Sequence, residues 1–277
     1  MKLVWQILAV VAISAAGGQA LSGVKENPWL ALPLGVLAVV LAVLVYRWVV
    51  GRTERRPVTE LARHGARGAL LRGALIGTVM FACVIANLFF LGDYEVHGYG
   101  SLSGALALLG FMAGAAATEE LMYRGLLFRL VERGAGTYLA LVVSGVVFGA
   151  SHLLNENATL LGAVAIAIEA GGMLAAAYAA TRSLWLPIGV HLGWNFAEAG
   201  IFGAEVSGSG GTHGLLDVSI SGPELITGGE FGPEASVYAV VIGALVMLAF
   251  LWLAHRRGHI VPRKRAARAD ALVALAR

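Results

Sequence analysis

Residues 102–130 read LSGALALLGFMAGAAATEELMYRGLLFRL, an apolar run broken near its middle by Glu119, Glu120 and Arg124. Its length exceeds the roughly 20 apolar residues that cross a bilayer as a helix. A charge at the bilayer centre costs roughly 2.5–3.5 kcal/mol or more, so three such groups need a reason to be there. Glu120 and Arg124 are four apart with the acid N-terminal to the base, the favourable order for an intrahelical pair. Neighbouring helical residues are rotated by about 100°, so Glu119 points elsewhere and has no partner on its own helix. One carboxylate therefore reads as structural, and its neighbour is free to do chemistry.

The same apolar character runs through the whole chain. Hydrophobic residues are 58% of the 277, charged residues 13%, and the mean hydropathy is +0.78. A soluble domain carries roughly 25% charged residues, so a water-soluble enzyme is excluded. The fold class expected is all-α, a polytopic membrane helix bundle of about eight transmembrane helices. They are expected near Leu3–Leu21, Trp29–Val50, Leu70–Leu91, Leu102–Leu130, Tyr138–His152, Leu160–Ala180, Leu184–Phe202 and Val237–His255. The fourth is too long for one crossing and should project past the bilayer, or break, around Arg124 to Arg133. Met1-Lys2 and the run Leu3–Ala16 also resemble a signal peptide, with Gly18-Gln19-Ala20 as its cleavage site. A first membrane helix completes an even topology and is the preferred reading. The chain divides into N-terminal helices (1–100), a core carrying the polar cluster (101–202), an external loop (203–235), and a last helix with a basic tail (236–277). Cys83, the one cysteine, sits in an apolar run and excludes an internal disulfide or a zinc–thiolate cluster.

Orientation follows from the basic residues, which are retained on the cytoplasmic side. Arg47, Arg52, Arg55, Arg56, Arg63, Arg67 and Arg72 follow the second helix; Arg129 and Arg133 end the fourth; Arg182 follows the sixth. The tail carries Arg256, Arg257, Arg263, Lys264, Arg265 and Arg268. The intervening connections 92–101 and 203–234 contain acids and no Lys or Arg. Both termini are thus expected in the cytoplasm of a cell inner or plasma membrane. The basic balance describes anchoring near anionic lipid, and no nucleic-acid partner is expected. The Gly- and Ser-rich 203–234 stretch is expected to cover or gate the site.

Three further polar residues interrupt apolar helices. One helix ends Phe148-Gly149-Ala150-Ser151-His152, and another contains His191-Leu192-Gly193-Trp194-Asn195. His191 and Asn195 are four apart and share a face. At about 1.5 Å per residue, Glu119, His152 and His191 lie about 11 to 21 Å from the cytoplasmic helix ends, so all three can meet. Small-residue pairs at Gly73/Gly77, Gly110/Gly114, Gly145/Gly149 and Gly189/Gly193 provide for close helix approach. Glu198, three residues after Asn195, is expected beside the site, and Glu169 is read as structural. Each polar residue alone fits a bland packing role; the combination points to a site that polarises a water and a carbonyl oxygen.

The three patterns Glu119-Glu120-x3-Arg124, Phe148-x3-His152 and His191-x3-Asn195, in that order on successive helices, resemble the CAAX-protease and bacteriocin-processing family of intramembrane proteases, also called the Abi or Rce1-like family. The resemblance implies an intramembrane endopeptidase acting on membrane-associated peptides or proteins. It implies Glu119 as general base activating a water with His152, and His191 with Asn195 stabilising the oxyanion. Glu120, Arg124 and Phe148 would support the site. Family members are commonly named metalloproteases, and Glu119, His152 and His191 could supply three zinc ligands. A metal-free glutamate mechanism is preferred, there being no His-Glu-x2-His. The competing class is non-catalytic: a membrane transporter or partner-binding protein using the buried Glu/His cluster. Serine and aspartyl intramembrane proteases are excluded, since no Gly-x-Ser-x-Gly turn lies in a helix and the only aspartates, Asp93, Asp217 and Asp270, lie outside the helices.

Overall fold

The computed structural model describes residues 2–24, 27–209 and 214–263; the expected tail residues Lys264, Arg265 and Arg268 lie outside them. It is an all-α membrane bundle, and seven helices are long and apolar enough to span. They are α1 (Lys2–Ser22), α2 (Pro28–Glu54), α3 (Ala66–Leu91), α4 (Leu102–Ala135), α5 (Thr137–Ser151, extended to Leu154 by a 3-10 turn) and α6 (Leu160–Thr181), with α8 (Val237–Arg256) last. The expected helix at Leu184–Phe202, α7, is shorter and largely buried: Trp185–Asn195, continued as a π stretch over Phe196–Ile201. Its length is limited by Arg182, a left-handed cap that ends α6 just before it.

α4 neither stops nor breaks at Arg124. It widens into a π stretch over Leu121–Phe128 and runs on to Ala135. At 1.5 Å per residue, 34 residues make a rod of about 50 Å, so it projects beyond a hydrocarbon layer of about 30 Å. α6 carries a second π stretch, Ala167–Gly172. A π turn bonds i to i+5 and leaves a backbone carbonyl for another donor. Gly125 O, within the α4 stretch, lies 2.8 Å from the Tyr46 hydroxyl and also accepts from Arg129 Nε.

The bundle has two unlike ends. At one, Glu54 binds Arg56, Arg129 and Arg133, and Glu60 binds Arg56 and lies 2.9 Å from the Tyr46 hydroxyl. Arg182 pairs with Glu132, and Thr137 N donates to Val261 O. At the other end the chain departs from the all-helical expectation. Tyr94–Tyr99 (β1) and Leu216–Ile220 (β2) pair antiparallel, with a bulge between Val96 and Gly98. Alternating Tyr94, Val96 and Leu216, Val218, Ile220 give each strand an apolar side; Tyr94 OH anchors the pair by donating to Phe202 O. Trp29, Phe90 and Tyr99 near the strand end, and Trp48, Tyr138 and Trp252 near the arginine end, are exposed, as aromatic residues at the two membrane interfaces are.

The glycine pairs do bring backbones together. A Cβ on Gly77 would lie 2.0 Å from Val190 O, and one on Gly193 would lie 2.1 Å from Ala74 O. α3 and α7 thus touch main chain to main chain, and Thr78 Oγ1 donates to Gly193 O. This contact sets the height and rotation of the helix that carries His191 and Asn195. Gly193→Ala or Gly77→Ala should therefore destabilise the protein by about 1–3 kcal/mol, read as a lower melting temperature in detergent.

The arginine end should make stability pH-dependent. Burial pushes the Glu60 carboxyl up, but hydrogen bonds from Arg56, its own backbone amide and Tyr46 outweigh that and hold it below the usual carboxylate value. A depressed carboxylate adds stability that is complete above its unfolded value and lost as pH falls through its folded value. Melting temperature should drop as pH is taken below about 4.5, and drop less in Glu60→Gln.

Candidate active site

Arg124 is fully buried inside the bundle and uses its guanidinium in three directions. Nη1 donates to Glu120 Oε1 at 2.6 Å, and Nη2 donates to Ala170 O and Gly171 O at 3.0 and 3.1 Å. Those two carbonyls belong to the π stretch of α6, so the irregularity in one helix supplies acceptors to a charge on another. The cation also lies 4.6 Å from the centre of the Phe148 ring, a stacking that the planar guanidinium favours. The expected i,i+4 pair is present.

Glu120 does more than hold Arg124. Its Oε1 lies 3.0 Å from His191 Nδ1, and since a carboxylate only accepts, the imidazole donates there. That turns His191 Nε2 towards Glu119, whose Oε2 is 3.9 Å away. Glu119 Oε2 has no hydrogen-bond partner among the described residues, and the side chain is 30% exposed. The two adjacent glutamates thus grip opposite edges of one histidine: one tightly and buried, the other loosely and at the edge of a cleft.

His152 is placed by the end of α5. Its Nδ1 donates to Phe148 O at 2.8 Å, which leaves Nε2 as the lone-pair nitrogen of the neutral ring. Phe148 packs against both imidazoles, with ring centres 4.8 Å from His152 and 5.9 Å from His191. Ser151, next to His152, turns its hydroxyl to Phe148 O.

Glu119, Tyr123, Ser151, His152, Asn155, Asn195 and Ser207 line a half-open cleft of about 290 Å³. Behind it is an inner chamber of about 20 Å³, room for a water molecule. His152, His191, Asn195, Glu169, Ser207 and Glu234 line that chamber. His152, Asn195 and Ser207 face both spaces. All seven residues singled out from the sequence are brought to this region: Glu119, Phe148, His152, His191 and Asn195 line its cavities, and Glu120 and Arg124 pack behind them.

Glu169, read as structural, is buried and lines the chamber, and neither carboxyl oxygen has a hydrogen-bond partner among the described residues. Glu198 lies beside the site as expected, behind the chamber with its carboxyl next to that of Glu234. The 203–234 segment contributes to the wall as well as covering it. Asn155 Nδ2 donates to Ser207 O at 2.6 Å, and the Ser207 hydroxyl donates to Glu234 Oε1. Ser207 holds φ +53, a left-handed backbone that a serine adopts at some cost. Burial raises the Glu234 carboxyl above its ordinary value, against the opposing pull of Ser207 and His152. Asn155, Ser207 and Glu234 have no sequence signature; their roles depend on segments about 50 and 80 residues apart meeting in space.

Among the described residues, no three His, Cys, Asp or Glu side chains are gathered closely enough to hold a metal ion. The Glu119, His152 and His191 ligand set is therefore not assembled in this arrangement.

Removing the charge at 124 should be severe. Arg124→Ala leaves the Glu120 carboxylate buried and uncompensated, a loss of about 3–5 kcal/mol. Arg124→Lys, a point charge without the planar fork, should recover only part of it. Yield of monodisperse protein and its melting temperature test the order wild type, Lys, Ala.

Residues 101–197 match the family model described as type II CAAX prenyl endopeptidase Rce1-like. No curated protein and no solved structure matches the chain. The matched stretch holds Glu119, Glu120, Arg124, Phe148, His152, His191 and Asn195.

Proposed function

We propose, from the match of residues 101–197 to the Rce1-like family model, that the protein is an intramembrane endopeptidase that hydrolyses membrane-associated peptides with a glutamate-activated water. The observation that carries this reading is the state of Glu119. Its carboxylate is the one acid of the Glu119-Glu120 pair without a salt bridge to arginine, and it sits in the cleft with His152 and Asn195.

The chemistry follows from the donors and acceptors. A water in the cleft gives a proton to the Glu119 carboxylate, with His152 Nε2 as a second acceptor that orients it. The hydroxide adds to the scissile carbonyl carbon, and the carbonyl oxygen becomes an oxyanion. The Asn195 carboxamide offers N–H donors to that oxyanion. His191 offers Nε2–H when its ring carries both protons, a form balanced by the Glu120 carboxylate on Nδ1. As the C–N bond breaks, Glu119 returns its proton to the leaving amine. Donors fixed before the reaction, in a site shielded from bulk water, act strongly on developing charge.

The test uses purified protein in detergent with a library of membrane-anchored peptides. Glu119→Gln should lower the cleavage rate by about 10²–10⁴-fold, as loss of a general base does. Asn195→Ala should lower kcat by about 10²–10³-fold with little change in KM, as loss of an oxyanion donor does. Cleavage that persists unchanged in Glu119→Gln would remove the glutamate from the mechanism.

A further inference from the structure

The cleft opens at one end of the bundle, and that end can be assigned a side of the membrane. Its rim is formed by Asn155, Val206, Ser207 and Ser209, which belong to the connections at the strand end. α5 starts at Thr137, tied to Val261 at the arginine end, and rises to His152. α7 starts at Trp185, whose indole donates to Ala62 O at the arginine end, and rises past His191 and Asn195. Below the catalytic groups the bundle is closed towards the arginine end. Leu121, Leu126, Phe128, Tyr178 and Ile188 fill it as one buried cluster.

Every described arginine except the buried Arg124 lies at or next to the closed end. The strand end carries Asp93, Glu95, Glu156, Asp217, Glu224 and Glu230 and no described arginine or lysine; the α1–α2 connection contains one lysine, Lys25, outside the described residues. Arginine and lysine in short connections are retained on the cytoplasmic side. The closed end is therefore cytoplasmic and the cleft faces away from the cytoplasm.

The cleft is also open sideways. α5 packs mainly against the Leu121–Phe128 and Arg129–Ala135 parts of α4 and little against Leu102–Glu120. Phe111, Met112 and Ala115 on that upper part of α4 form an apolar wall of the cleft. Leu154 and Leu160, beside the rim, present bare apolar side chains. A chain already lying in the outer half of the bilayer meets this opening without crossing water.

Resting on the protease reading, we infer that the substrate is a polypeptide anchored in the membrane with its scissile segment in or next to the non-cytoplasmic leaflet. A lipid-modified C-terminus displayed in the cytoplasm does not reach the site. This departs from what the name of the matched family suggests for its substrates.

Labelling decides the sidedness without depending on activity. Cys83 is replaced by alanine, and single cysteines are introduced by Glu156→Cys and Ser209→Cys at the rim and His64→Cys at the arginine end, all exposed positions. With the full chain in sealed cells, a membrane-impermeant maleimide should label the two rim cysteines. His64→Cys should label only after the membrane is opened. Labelling of His64→Cys in sealed cells, or failure to label both rim positions, overturns the inference. Peptide cleavage lost in Glu119→Gln together with reversed labelling sinks the sidedness alone. Outward labelling with no cleavage of any peptide sinks the protease reading and the substrate assignment while leaving the sidedness intact. As a second arm, a peptide anchored with its scissile segment outside should be cut in cells, and the same peptide inverted should be spared.

Discussion

The fully buried Arg124–Glu120 pair is the constraint around which this molecule is built. Two charges withdrawn from water are tolerated only when nearly every donor and acceptor is used, because the desolvation cost rivals the attraction between them. Arg124 meets much of that demand by placing one nitrogen on Glu120 and another on Ala170 O and Gly171 O, with Phe148 against its face, while its Nε and Glu120 Oε2 have no hydrogen-bond partner among the described residues. In the interior of a regular helix each carbonyl is already paired with a backbone amide. The π stretch at Ala167–Gly172 provides free carbonyls, so the distortion of α6 and the charge on α4 explain each other. The same relation recurs where the π stretch of α4 offers Gly125 O to Tyr46 and Arg129. Three helices are thereby locked in height and rotation by polar contacts, in a solvent where apolar surfaces alone give little preference among registers.

That locking has a chemical consequence. His191 takes its orientation from Glu120 and so from Arg124, and through it the opposite ring edge is aimed at Glu119. The neighbouring acid is left without an arginine partner because Arg124 is taken by Glu120. Two identical side chains in adjacent positions differ in environment by the 100° between them: one is sealed behind Phe148 and Arg124, the other looks into a cleft.

Much of this was legible in the sequence because it is local. The i,i+4 spacings of Glu120 with Arg124 and of His191 with Asn195 are consequences of helical pitch, and the apolar runs fixed the helices to within a few residues. Small-residue spacing correctly marked the α3–α7 contact through Gly77 and Gly193. What escaped was non-local or irregular. A π turn has no pattern in hydropathy, so the length of α4 showed that it must project or break, while the widening over Leu121–Phe128 that lets it carry on unbroken was not visible. The β1–β2 pair joins segments over a hundred residues apart, each too short and polar to announce a strand. Glu169 was read only as structural, and its place in the wall of a chamber that α5, α6, α7 and the 203–234 segment enclose together has no local sequence pattern.

The acid-lined chamber bears on how hydrolysis can proceed inside a membrane at all. A protease there needs its electrostatics undiluted by bulk water and yet needs water as a reagent. A cleft of about 290 Å³ backed by a chamber of about 20 Å³ answers both demands, since the inner space admits little more than a water molecule. Such a water needs two to four polar partners to be held, and His152, Asn195, Glu169, Ser207 and Glu234 supply them. Three of those five also border the chamber from outside the expected motif. The polar residues that line the chamber are thus spread more widely than the motif, and Ser207, held at positive φ, is one of those outside it.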